Sequence, residues 1–173
     1  MTVYTTMDSP LGELLLVGEE SATANGGTAL ASLSMPEQKG GAVVRDDWRP
    51  DPDAFTEIIR QLRDYFDGTR VHFDIEYTAD RGTEFQRRVW AALEEIPYGT
   101  TTSYGGLAER MGVSRAAVRA LGAAIGANPL LLVRPCHRVI GADGSLTGYA
   151  GGLERKRLLL THEGAATLSG ATA

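Results

Sequence analysis

The stretch Ser103-Tyr104-Gly105-Gly106-Leu107-Ala108-Glu109-Arg110-Met111-Gly112-Val113-Ser114-Arg115-Ala116-Ala117-Val118-Arg119-Ala120-Leu121-Gly122-Ala123-Ala124-Ile125-Gly126 decides how this chain is read. Ser103 and Ser114 are N-cap residues by type, and Gly112 and Gly126 are residues on which helices end. The text predicts a helix to Met111, a tight glycine turn, and a second helix from Arg115 to about Ile125. Two short helices across such a turn have helix-turn-helix spacing, which many helical hairpins share. The second helix carries almost no bulk: Ala116, Ala117, Ala120, Gly122, Ala123 and Ala124, with Arg115 and Arg119 projecting from it. Small residues permit close helix packing, but a slim helix with a long cation also suits a narrow nucleic-acid groove. Asn and Gln, which would read major-groove base edges, are absent from its face.

Downstream, Leu130-Leu131-Leu132-Val133 leads into Pro135-Cys136-His137-Arg138-Val139, and a glycine-rich tract follows from Gly141 to Gly152. Cys136 is the only cysteine and His137 one of 3 histidines. A sulfur nucleophile beside an imidazole, between a rigid proline and an apolar run, has the makings of a nucleophilic site. The plainer alternative is a small buried hydrophobe. Leu153 to Glu163 returns to helical periodicity, with Arg155-Lys156-Arg157 basic and Leu158-Leu159-Leu160 apolar. The Ala-, Thr-, Ser- and Gly-rich residues 165–173 predict a disordered tail.

Upstream, Thr83 is a candidate cap for a helix whose Phe85, Val89, Trp90 and Leu93 share one face, stopped by Pro97-Tyr98-Gly99. A boundary near Asp80-Arg81-Gly82 separates a structural domain over 1–80 from a helical domain over 81–164. In the first domain, Val3–Thr6, Leu14–Val17 and Thr28–Leu33 are strand candidates, and 36–52 reads as a loop. A helix beginning at Asp51-Pro52 carries Phe55, Ile58, Ile59, Leu62, Tyr65 and Phe66 at three- and four-residue spacing. The expected fold is α+β: a small antiparallel sheet with a covering helix, then a mainly helical domain.

The net charge of −5 conceals an asymmetry: residues 1–80 carry 6 Lys/Arg against 15 Asp/Glu, and residues 81–173 carry 11 against 7. A polyanionic partner would meet the second half, unless the charges merely solvate separate faces. One cysteine allows neither an internal disulfide nor a Cys-rich zinc site, and His72 and His162 lack ligand-like neighbours, so no metal is expected. No signal peptide is readable at Met1-Thr2-Val3-Tyr4, and no apolar run approaches the ~20 residues of a membrane span. These features predict a cytoplasmic protein without a membrane partner.

The second half strongly resembles the O6-alkylguanine-DNA alkyltransferases. The resemblance is carried by Gly82-Thr83-Glu84-Phe85-Gln86, Val89-Trp90, Ile96-Pro97-Tyr98-Gly99, Ser103-Tyr104-Gly105, Arg119-Ala120-Leu121-Gly122, Asn128-Pro129, Pro135-Cys136-His137-Arg138-Val139, Gly148-Tyr149, Gly151-Gly152-Leu153, Lys156, Leu159-Leu160 and Glu163. It spans residues 82–163 in order, whereas the first 80 match only in general pattern. The resemblance implies a first domain with a ribonuclease H-like ridge and a second with a winged-helix-like helix-turn-helix. It also implies single-turnover repair in which the protein binds the minor groove, rotates the guanine out and moves the O6-alkyl group onto Cys136. No cofactor is implied, because the thiolate is itself the acceptor. The implied partner is double-stranded DNA, and also single-stranded DNA, containing O6-alkylguanine, met by a monomer with cooperativity along DNA left open.

By the same resemblance, His137 accepts the thiol proton through a bridging water while Glu163 orients it, which would lower the thiol pKa. Tyr104 stabilises the leaving guanine, and Asn128 ties the recognition helix to the cysteine loop. Arg119 is the intercalating finger, with Ser103, Tyr104, Ala120, Gly122 and Arg115 on the DNA-binding surface. Pro135, Val133, Val139, Tyr149, Ala150 and Gly151 form the base pocket, where the backbone carbonyls of Val133 and Cys136 would read the guanine amino group. Arg138 is expected to be an internal salt-bridge partner. Ala150 departs from the polar residue common in this loop, and Leu121 and Ser114 replace a usual Val and Pro. The rival readings are a lesion-binding protein that flags alkylated bases without transfer, and a Cys-His hydrolase.

Overall fold

Burial alternates along Thr2–Ser9 (β1), and a two-residue turn at Pro10-Leu11 returns the chain as Gly12–Glu20 (β2), antiparallel from Thr2↔Glu19 to Ser9↔Gly12. Ser9 Oγ closes the turn, accepting from Leu11 N at 3.1 Å and donating to Gly12 O at 2.7 Å. Thr28–Ser34 (β3) pairs antiparallel with the other edge of β2, with a register shift between Val17 and Gly18. A Cβ at Gly18 would lie 2.6 Å from Ala29 O and 3.2 Å from the Phe55 ring, so this bulge admits only glycine without local movement. Arg49–Pro50 (β4) adds a parallel edge to β1, and the sheet order is β3-β2-β1-β4. The segment expected to be a loop, 36–52, thus contains a strand. Two residues cannot display alternation, and a proline is tolerated there because an edge strand need not donate.

A 3₁₀ turn, Pro52–Phe55, leads into Thr56–Phe66 (α1). Phe55, Ile58, Leu62 and Tyr65 are buried at the expected spacing, while Ile59 and Phe66 are half-buried. Gln61 is fully buried as well. Its amide donates to Asp74 O at 2.9 Å and accepts from Asp74 N at 2.7 Å, replacing a missing ladder for the chain beyond the helix.

The chain divides into two compact units, one ending at residue 80 and the other beginning at Arg81. In the second, Glu84–Glu94 (α2) starts in a capping box: Gln86 N donates to Thr83 Oγ1 at 3.1 Å and Thr83 N to Gln86 Oε1 at 2.9 Å. Val89, Trp90 and Leu93 are buried, and Trp90 Nε1 donates to Ala124 O at 2.9 Å. Thr102–Ser103 (β5) precedes Tyr104–Met111 (α3), which Ser103 Oγ caps by accepting from Gly106 N at 2.9 Å. Gly112 ends α3 in the left-handed conformation, φ 68°.

The next helix differs from expectation. Arg115–Ala117 is a separate 3₁₀ turn, and Val118–Gly126 (α4) follows it. Ser114 has the extended backbone of a cap, but its side chain makes no capping bond. Val139–Ile140 (β6) pairs parallel with β5, joining the exit of the cysteine segment to the start of α3. Leu153–His162 (α5) closes the unit. The structure, a computed structural model, describes residues 1–79 and 81–165. Beyond Ala165, whose N–H bonds Leu160 O at 3.0 Å, the expected tail lies outside the described residues. Among the described residues no helix is long and apolar enough to cross a membrane.

Candidate active site

Every residue from Leu130 to Ile140 is buried. The apolar run is a turn: Arg134 N bonds Leu130 O at 3.0 Å, and Leu132 takes a left-handed φ of 70°. That conformation is unusual for a branched side chain and persists only where neighbours over-determine it. Asn128, just past the end of α4, supplies much of the constraint. Its Nδ2 donates to Leu130 O at 3.3 Å and Arg134 O at 3.1 Å, while its Oδ1 accepts from Leu130 N at 3.0 Å. Cys136–Arg138 then forms a 3₁₀ turn, in which Val139 N–H bonds Cys136 O. That carbonyl, expected to face a ligand, has one of its two lone-pair directions already engaged.

Next in sequence to the cysteine, His137 Nε2 lies 2.8 Å from Glu163 Oε2, and both side chains are inaccessible to solvent. Arg138 clasps the same carboxylate: Nε to Oε1 at 2.8 Å and Nη2 to Oε2 at 3.0 Å. Burial favours the neutral acid of Glu163, but hydrogen bonds from His137 and Arg138 and their charge hold it well below the usual carboxylate range. Burial pushes the His137 pKa down, so the resting imidazole is neutral. With Glu163 ionised, Nε2 carries the proton and Nδ1 is the ring's acceptor. Nδ1 is buried and has no hydrogen-bond partner in the protein.

The thiol itself departs from expectation. Burial pushes Cys136 up to about 11, against the opposing pull of an Asn128 hydrogen bond and the charge of Lys156. The predicted lowering by His137 and Glu163 is thus absent in the resting protein, because the apolar surroundings dominate.

Cys136 forms part of a cavity of about 380 Å³ also lined by Tyr104, Gly122, Ile125, Gly126 and residues 147–150. Tyr149 and Ala150 stand on its wall. Val133, Pro135, Val139 and Gly151 are buried, the first three within the packed turn and β6, and are not among the residues that line it. Gly122 is half-buried and lines the cavity, whereas Arg115, Arg119 and Ala120 are exposed. Ser103 is half-buried, with its hydroxyl committed to capping α3. Tyr104 OH donates to Thr147 O at 3.0 Å.

The roles of two charged groups escaped the sequence reading, and that of a third was read only in part. Lys156 is 1% exposed and donates to Thr147 O and Gly148 O, each at 3.0 Å. Its position was readable: Lys156, Leu159, Leu160 and Glu163 recur at i, i+3, i+4 and i+7 on one helix face. Arg134, 1% exposed, lies 5.2 Å from the Trp90 ring centre. The third is Arg138, whose internal ion pair was expected but not its place on the carboxylate that orients His137.

Residues 84–165 match the family described as 6-O-methylguanine DNA methyltransferase, DNA binding domain, and residues 2–78 match its ribonuclease-like domain. The chain is 50% identical over 163 residues to the methylated-DNA–protein-cysteine methyltransferase of Mycobacterium tuberculosis H37Rv, covering 94% of this chain and 93% of the relative. To the Methanosarcina acetivorans protein of the same name it is 44% identical, covering 93% and 97%. The crystal structure of M. tuberculosis OGT in complex with DNA superposes with a TM-score of 0.83 at 49% identity, covering 94% and 92%. The M. tuberculosis O6-methylguanine methyltransferase structure gives 0.82, covering 95% and 93%.

Replacing Asn128 by Ala leaves Leu130 N–H buried without its acceptor, at about 1–3 kcal/mol, while Leu130 O and Arg134 O lose one bond each and keep those from Arg134 N–H and Cys136 N–H. Urea titration is expected to show a loss of about 2 kcal/mol. A second expectation concerns Lys156, which burial lowers to about 8 from 10.5. The unfolded chain then binds the extra proton over that interval, so Lys156 makes stability rise with pH above 8. The raised Cys136 pKa opposes this from about 9 upward, where the fold holds the thiol proton longer than the unfolded chain does. Urea titrations between pH 7.5 and 9 should therefore show a rise that Lys156→Met abolishes.

Proposed function

The chain belongs to the methylated-DNA–protein-cysteine methyltransferase family, which repairs alkylated DNA by direct transfer, and from that premise we propose that Cys136 is its alkyl acceptor. The observation that carries this assignment is a solitary buried cysteine on the wall of a base-sized cavity, adjacent in sequence to the His137–Glu163 pair.

In the proposed course of reaction, α4 enters the minor groove with its exposed, nearly bulk-free face. Unstacking the lesion costs a few kcal/mol, and the Arg119 side chain offsets part of this by occupying the vacated space. Arg119 suits the role because it is exposed and forms no ion pair among the described residues. Arg115, Ser103 and Ala120 contact the backbone beside it. The guanine enters the cavity between Tyr104 and the 147–150 loop, its amino group toward the carbonyl of Cys136.

The Cys136 proton passes to His137 Nδ1, directly or over one water. The sulfur attacks the alkyl carbon, forming the S–C bond as the C–O6 bond breaks. The electron pair stays on guanine, and Tyr104 OH stabilises it by donating to the ring. The thiol proton finally replaces the lost alkyl group on guanine, so the products are S-alkylcysteine and unmodified base. Nothing regenerates the thiol, and no cofactor takes part. We assign the work to the cytoplasm and to a monomer acting on double-stranded and single-stranded DNA. Confinement of the proposed site to the second unit of one chain supports action as a monomer.

Incubation with an O6-methylguanine oligonucleotide should add one methylene unit to the intact mass, mapped to Cys136 and absent from Cys136→Ala. An unchanged mass in folded protein would overturn the assignment. Arg119→Ala should slow repair in duplex DNA about tenfold more than reaction with a free O6-alkylguanine base, roughly 1.4 kcal/mol confined to the DNA-dependent step. Equal slowing in both assays would contradict the finger role.

A further inference from the structure

The carboxylate that orients His137 sits where a carboxylate should not ionise. Glu163 is 5% exposed and is the C-cap residue of α5, at the end where the helix dipole is itself negative. The groups that face it are His137, Arg138 and the Tyr98 ring. Those facing His137 are Glu163, Arg138 and Lys156. Of these, only Arg138 combines a permanent charge with a two-point grip on the carboxylate, at 2.8 and 3.0 Å. Its third arm, Nη1, donates to Ile96 O at 2.6 Å, and its guanidinium carbon lies 5.7 Å from the Tyr98 ring centre. The guanidinium is thereby held by partners besides Glu163.

We propose that Arg138 is a positioning residue that, by gripping Glu163, fixes His137 as the Nε2–H tautomer and so leaves Nδ1 open to take the Cys136 proton. Without the grip, burial and the helix end both favour the neutral acid. A protonated Glu163 would donate to Nε2 instead of accepting from it. The ring would then carry its proton on Nδ1, and the one free acceptor of the ring would be lost. Arg138 touches neither substrate nor sulfur in this scheme. It acts through Glu163, and it also tempers the carboxylate's charge, which keeps the imidazole neutral until the thiol proton arrives.

This inference rests on the proposed alkyl transfer, and its test separates the two. With only 3 histidines, the His137 ring nitrogens are assignable by ¹⁵N–¹H correlation spectroscopy of the full-length protein without DNA. Wild type should show Nε2–H from neutral pH down to the acid limit of folding. Arg138→Met should shift His137 toward Nδ1–H at low pH. Its transfer to an O6-methylguanine oligonucleotide should fall about a hundredfold or more there, the scale of a wrong-tautomer histidine, and recover as rising pH ionises Glu163. A folded Arg138→Met with Nε2–H throughout, and a rate profile parallel to wild type, would overturn the proposal. Should Arg138→Met not fold, Arg138→Lys decides. One ammonium cannot reproduce the two-point grip, so the acid limb of its profile should move to higher pH, with Nε2–H retained near pH 8. A Lys variant indistinguishable from wild type in tautomer and profile would equally overturn it. Failure of wild type to take the methyl group would instead sink the functional reading while leaving the tautomer measurement intact.

Discussion

Burying eleven consecutive residues, Leu130 to Ile140, is the constraint on which the second unit depends, because that run includes Arg134, Cys136, His137 and Arg138. Polar groups withdrawn from water must find partners inside, or the fold loses several kcal/mol for each. The surrounding elements are arranged accordingly. The end of α4 contributes Asn128, α5 contributes Glu163, the turn after α2 contributes Ile96 O, and Trp90 offers its face to Arg134. Pairing β6 with β5 then fixes the exit of the segment against the cap of α3, which sets Tyr104 beside the same cavity as Cys136.

The same burial governs the chemistry. A thiol enclosed in apolar surroundings is a poor acid, so the cysteine depends on neighbours whose protonation states are fixed in advance. A neutral imidazole, an ionised carboxylate and a guanidinium form a row in which each member determines the state of the next. Lys156 adds a further buried cation, whose hydrogen bonds end on the loop carrying Thr147 and Gly148. Because Thr147 O also accepts from Tyr104, the ammonium and the phenol share one carbonyl.

Local signals made much of this readable from sequence. Thr83 and Gln86 announced the start of α2, Ser103 and Gly112 bounded α3, and the cysteine segment with its flanks carried the family. What stayed illegible is non-local. β4, β5 and β6 are two residues each and exist only through pairing with strands far away in sequence. The break between the 3₁₀ turn and α4 lies inside a run of alanines that favours helix throughout. Lys156 was hidden by its basic neighbours, since Arg155-Lys156-Arg157 looks like a solvated surface until the apolar period of α5 is counted through it. The direction of the Cys136 shift was unreadable for a different reason: adjacency to His137 is visible in the chain, but the depth of burial that outweighs it is not.

The lack of side-chain bulk on α4 has a geometric consequence. Its outer face presents Arg119, Ala120 and Ala123 to solvent, while Gly122 and Gly126 form part of the cavity wall behind. An ordinary helix with its side chains is about 10–12 Å across. Alanine and glycine on both faces reduce α4 toward the diameter of its backbone. The helix is a partition, and its thickness sets how far a nucleotide must swing to pass from the outer surface to the sulfur. Tolerance for larger residues at these positions is therefore limited by reach rather than by stability.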